Sequence, residues 1–126
     1  MSELSDESSS PRATPWAGYE SLEEAIEGLR RARFRLERRY SVTGRGQVVD
    51  GVVADGRVAQ GMVLLARTRQ FANVVVELPI RAVEEVIGPG TRVATALVLG
   101  KVPTGPGEPS LDAGMVFDIL ERSPAA

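Results

Sequence analysis

Residues 40–61 read Tyr-Ser-Val-Thr-Gly-Arg-Gly-Gln-Val-Val-Asp-Gly-Val-Val-Ala-Asp-Gly-Arg-Val-Ala-Gln-Gly. Gly44 and Gly46 bracket one arginine, and paired glycines admit the left-handed backbone that a tight corner needs. Gln47 to Ala54 is valine-rich, which suits a strand. Asp55-Gly56 is a strong hairpin signal, because both residues tolerate positive φ. The stretch therefore predicts strand, glycine corner, strand and hairpin turn, with Gly61 ending a second small turn.

Working outward, Phe34, Leu36, Tyr40 and Val42 alternate with polar neighbours, with one lapse at Arg38, so the strand before the corner is predicted to begin at Arg33. A single helix running through Tyr40 competes with this, since Leu22, Ala25, Leu29, Ala32 and Leu36 also fit a heptad. Upstream, Ser21 and Glu24 form a capping box, each side chain placed to take the other's backbone N–H. Leu22, Ala25, Ile26, Leu29 and Ala32 then share one helical face, and Arg30 and Arg31 suit the last turn. An amphipathic helix over 18–32 follows, which Gly28 weakens. Residues 1–17 are acidic and rich in serine and proline, a composition that cannot offset its ordering entropy, and are expected to be disordered, as are 123–126. Trp16 and Tyr19 stand at the edge of order. They read as anchors of the tail or, alternatively, as a partner-facing aromatic pair.

Downstream, strands are predicted at Met62–Arg67, Asn73–Leu78, Arg81–Ile87, Thr91–Gly100 and Met115–Leu120. Pro79, Gly88-Pro89-Gly90 and the loop Pro103–Pro109 punctuate them. Many short strands between Gly/Pro turns over residues 33–122 imply a mainly β domain: a small, closed antiparallel barrel of six to seven strands, with the one short helix before it.

The pattern of Tyr40, Val42, Gly44, Gly46, Val48, Val49, Gly51, Val53, Gly56, Val58 and Gly61 resembles the opening of the second-domain β-barrel of translational GTPases, the group of elongation factor Tu, the selenocysteine elongation factor and initiation factor 2. Gly90-Thr91-Arg92-Val93-Ala94 with Leu97, Leu99 and Gly100 is similar to a later strand of that barrel. Leu111 to Phe117 is similar to its closing one. The likeness spans about residues 33–121, and implies the barrel fold and contacts with RNA, the ribosome or partner factors. It carries over no functional residue. The family's usual acid is Thr91 here, and the GTPase domain is lacking. An OB-fold and a β-sandwich are the competing folds.

Several chemistries are excluded. The sequence holds no cysteine and no histidine, which removes disulfides, thiolate chemistry, the usual general base and the commonest zinc ligand. No phosphate-binding G-x-x-x-x-G-K-[ST] loop exists, and Val49 stands where a dinucleotide turn needs its third glycine, so neither nucleotide nor other cofactor is expected. Glu84 and Glu85 are adjacent and on a strand point to opposite faces, which rules out an acid/base pair. A Ser–Lys dyad would need Lys101, the only lysine, for which no partner is evident. A non-enzymatic chain without a metal is expected. No signal peptide or apolar run of about 18 residues is present, so a cytoplasmic protein without a membrane segment is the expectation.

Charge is unevenly placed. Residues 1–29 carry seven acids and one arginine, whereas 30–45 carry seven arginines and one glutamate. On a regular strand Arg33, Arg35 and Arg39 would share a face, with Arg38 beside them and Arg45 at the corner beyond. Such a stripe suits phosphate neutralisation on RNA or the ribosome. The same arginines read equally as solvated, as paired with Glu20, Glu23, Glu24 and Glu27, or as a site for an acidic protein partner. Tyr40 and Phe71 offer stacking planes but read first as core residues. A protein-interaction module with no nucleic-acid role, and a homodimerising scaffold, are the other functional readings.

Overall fold

The computed structural model describes residues 18–87 and 92–124. The expectations placed on residues 1–17, Trp16 among them, and on the turn Gly88-Pro89-Gly90 lie outside these. Helix α1 spans Leu22–Leu29, and strands follow as β1 (Arg30–Val42), β2 (Gly46–Gly56), β3 (Val63–Arg67), β4 (Val75–Pro79), β5 (Ala82–Ile87), β6 (Val93–Gly100) and β7 (Val116–Leu120), with a 3-10 turn at Gly105–Gly107. All strand pairings are antiparallel, in one seven-stranded sheet ordered β4-β3-β7-β1-β2-β6-β5.

The helix is shorter than its apolar periodicity predicts. Ser21 caps it as expected, its Oγ accepting from the Glu24 N–H at 3.1 Å. The Glu24 carboxylate instead takes the Glu20 N–H, at 2.8 Å. At the other end the Glu121 N–H donates to the Leu29 carbonyl, and Arg30 opens the ladder to β7 opposite Leu120. Arg30 and Arg31 therefore belong to β1, where they bond Asp118 and Glu121, and the continuous helix through Tyr40 does not form. Tyr19 lies against α1 and joins Leu22, Ile26 and Val75 around the buried Leu29, Leu65 and Leu120.

The lapse at Arg38 is a β-bulge. Leu36 faces Gly51 and Arg38 faces Asp50, so Glu37 is the extra residue on β1. A bulge shifts the alternation by one. Before it Phe34 and Leu36 point inward, while beyond it Arg39 lies opposite the core residue Val49 and Tyr40 opposite Val48 on the other face. Arg33, Arg35 and Arg38 consequently share the outer face, and Arg39 turns to the inner side. This corrects the expected grouping of Arg33, Arg35 and Arg39.

The Asp55-Gly56 hairpin also does not form. Gly56 ends β2, which pairs with β1 and β6, and the chain leaves it for β3, which pairs with β7 and β4. Ser123 and Pro124 are described, and Pro124 is fully buried rather than part of a loose end.

One core cluster takes Phe34 and Leu36 from β1, Val49 from β2, Leu64 from β3, Leu78 from β4, Leu97 from β6 and Ile119 from β7. Strands at opposite ends of the order meet there, so the sheet curls around its inner face. It is not closed: no ladder joins β4 to β5 among the described residues, which corrects the closed barrel. These two edges are instead consecutive in the chain, linked by Ile80 and Arg81. The Ile80 N–H donates to the Met62 carbonyl and the Arg81 N–H to the Val98 carbonyl, tying the link to both flanks at 2.8 Å. On the outer face Val48, Ala96 and Val98 form a smaller buried patch under Tyr40, Val42, Ala82 and Val86.

Candidate nucleic-acid interface

Most arginines of β1 are occupied. Arg33 lies 3.9 Å from Asp118 and Arg35 3.6 Å from Glu37. Arg38 makes a two-pronged contact with Asp50, at 3.2 and 2.7 Å. The Asp50 side chain is only 1% exposed. A buried carboxylate requires such a partner, since an unpaired one is costly. The hydrogen bond to Asp50 raises Arg38 above its ordinary pKa, and its guanidinium sits 5.7 Å from the centre of the Tyr40 ring. Burial, followed by the Asp50 charge, pushes the Tyr40 hydroxyl up. Tyr40 is thus a packed residue, as first read, whereas Phe71 is 47% exposed rather than core.

The partners of these arginines are strand acids, across the sheet for Arg33 and Arg38 and on β1 itself for Arg35, and not the acidic face of α1. In the sequence Asp50 stands between Val49 and Gly51. Its position in mid-strand opposite Arg38 is visible only once the Glu37 bulge sets the register.

The arrangement differs at the β1–β2 corner. Gly46 and Gly100 both hold positive φ (84° and 74°), and a Cβ on Gly46 would stand 2.5 Å from the Gly100 carbonyl oxygen. Glycine at both positions lets the corner and the end of β6 touch. That approach brings Arg45 and Gln47 beside Lys101. Together with Arg39, Val102 and Thr104 they line a cleft of about 490 Å³. Among the described residues no carboxylate lines it. Arg39 donates from Nε to the Gln47 side-chain oxygen at 2.8 Å, which aims the guanidinium without neutralising it. Lys101 is exposed and has no bonded partner among the described residues. Arg45 is held by Glu84, at 2.9 and 2.5 Å. That hydrogen bond raises the Arg45 pKa above its ordinary value and lowers that of Glu84 below its own.

Of the five arginines singled out from sequence, two therefore meet at one cleft (Arg39 and Arg45), and three (Arg33, Arg35, Arg38) lie on the outer face in ion pairs. Lys101 was missed as a member of this group. The signal was present in Gly100-Lys101 at a strand end, but only the fold brings it to the corner of β1. Comparison with known families, curated proteins and solved structures finds no match for the chain.

Proposed function

We propose that this chain is a non-enzymatic binding module that contacts the phosphate backbone of RNA through the cleft at the β1–β2 corner. The observation that carries the reading is the lining itself: Arg39, Lys101 and Arg45 around one concavity, of which Arg45 alone is bonded to a carboxylate, Glu84, among the described residues. A guanidinium and an ammonium free of acid partners neutralise phosphates at low cost, whereas Arg33, Arg35 and Arg38 would first have to leave Asp118, Glu37 and Asp50. The exposed Thr104 side chain and the half-buried Gly46 add neutral lining where a nucleic-acid backbone can approach closely.

The resemblance of the glycine and valine pattern to the second domain of translational GTPases points the same way, towards structured RNA in a cytoplasmic, ribosomal setting. On this reading the curled sheet is a barrel of that type, completed by the Ile80–Arg81 link in place of a final ladder. The protein-only module is the competing function.

Fluorescence anisotropy with a structured RNA hairpin tests the proposal. With about three phosphates neutralised, affinity should fall by roughly 10²- to 10³-fold for a tenfold rise in salt. Arg39→Ala with Lys101→Ala should remove most of that dependence, and Arg33→Ala with Arg35→Ala should leave it nearly intact. Equal binding at about 50 and 500 mM salt, or binding indifferent to the cleft pair, overturns the reading.

A further inference from the structure

Strand β4 is an edge, and its ladder shows which backbone groups it leaves free. The Thr68 N–H donates to the Val74 carbonyl, and the Ile80 N–H donates to the Met62 carbonyl. Between these, Arg67 faces Val75, Leu65 faces Glu77 and Val63 faces Pro79. Antiparallel ladders alternate, so Val74, Val76, Leu78 and Ile80 turn their backbone groups to β3. Val75 and Glu77 turn theirs away, where no strand pairs with them among the described residues. An open edge without lysine on it is a template for another strand. Just before it Phe71 and Val74 are 47% and 46% exposed.

We infer that this edge docks a second copy of the chain, β4 against β4, across a two-fold axis at Val76. The edge is complementary to itself. With the axis there, Val75 of one copy stands opposite Glu77 of the other, and each such pair exchanges two N–H to carbonyl bonds. Four bonds form, and Pro79, which has no N–H, ends the ladder on both sides. The charges fit in the same register. Arg67 neighbours Val75 on β3, so Glu77 of the second copy lies one strand from Arg67 on the same face. Within one chain the Arg67 guanidinium reaches only the Ala72 carbonyl, at 3.2 Å, and Glu77 has no side-chain partner among the described residues. The two-fold thus gathers two Arg67 and two Glu77 side chains on one face, the glutamates diagonal to each other across the axis and the arginines flanking them, so the group carries no net charge. Docking β4 on the other edge, β5, would repeat head to tail and build filaments, which an isologous contact avoids.

The chain has no cysteine, so a single introduced thiol reads the register directly. Opposed residues of a non-hydrogen-bonded pair sit about 4.5 Å apart between Cα atoms, within disulfide reach. Oxidised Val76→Cys should therefore run mainly as a covalent dimer. Val75→Cys should not, because its counterpart lies two residues along. At about 100 μM the full-length chain should show twice the 13.5 kDa chain mass by light scattering. Val75→Pro, which removes only an outward N–H, should return it to the monomer with its circular dichroism unchanged. A monomer at every concentration, a filament, equal cross-linking at both positions, or a dimer that survives Val75→Pro would each overturn the inference.

Discussion

At the scale of single residues, Glu84 decides how much of the cleft's charge is available. It holds Arg45 by two hydrogen bonds, and that contact lowers its own pKa below 4.5. A carboxylate depressed on folding stabilises the fold above its unfolded value, and the contribution is lost as pH falls through the lower, folded value. The Arg45–Glu84 pair is therefore complete at neutral pH and releases only in acid below 4.5. Glu84→Gln should achieve at neutral pH what acid does to the wild type. It frees Arg45 for phosphate, and RNA affinity at low salt should rise by roughly two- to tenfold with a steeper salt dependence. Unchanged affinity and slope, measured by anisotropy, would show that Arg45 takes no part. Asp50 has the opposite character: buried opposite Arg38, it fixes that arginine to the sheet and keeps it out of the binding group. Gly51, next to it, admits the bulge, since a Cβ there would meet the Arg35 carbonyl oxygen at 2.0 Å.

Among the elements, α1 is held by packing more than by its own propensity. Eight residues are too few for a stable isolated helix, and Gly28 lowers the propensity further. The structure supplies the reason for that glycine: a Cβ at Gly28 would stand 2.6 Å from the Tyr19 hydroxyl oxygen. Tyr19 covers the helix at that point and joins the cluster around Leu29 and Leu120. Gly28→Ala alone should bring no gain, because the ring must move. In a Tyr19→Ala background the same change should recover about 1 kcal/mol, the ordinary advantage of alanine. A double-mutant cycle by urea denaturation reads this coupling. An equal effect of Gly28→Ala in both backgrounds would separate Tyr19 from the helix.

Strand positions were largely legible because glycine, proline and alternation are local signals. Strands predicted at Met62–Arg67, Arg81–Ile87 and Met115–Leu120 lie within a residue of β3, β5 and β7. Pairing was not legible in the same way. Asp55-Gly56 has every local property of a hairpin, but β2 finds its second neighbour in β6, about forty residues on, and tertiary contacts override the turn signal. The helix end was misplaced for the same reason, since β7 captures Arg30 while the apolar spacing still reads as helical.

For the whole molecule, the candidate site is a product of strand pairing. Gly46 and Gly100 are 54 residues apart, and the β2–β6 ladder, which sets Gln47 opposite Gly100, brings them together. The arginine run was visible in the sequence, but which arginines stay available was not, because that depends on cross-strand acids and on a one-residue bulge. No helix among the described residues is long and apolar enough to cross a membrane. Register and the bulge thus separate two groups of cations. Arg33, Arg35 and Arg38 are bound to acids on the outer face. At the corner, Arg39 and Lys101 have no acid partner among the described residues and stand beside Arg45, which Glu84 holds. The most direct check is an NMR titration of the labelled chain with a structured RNA, following backbone amides and arginine Nε–H signals. Shifts should concentrate at Gly46, Gln47, Gly100 and Lys101 and at the Arg39 and Arg45 side chains, with Arg33, Arg35 and Arg38 unmoved. Shifts gathered on the outer-face arginines, or none at saturating RNA, would contradict the account.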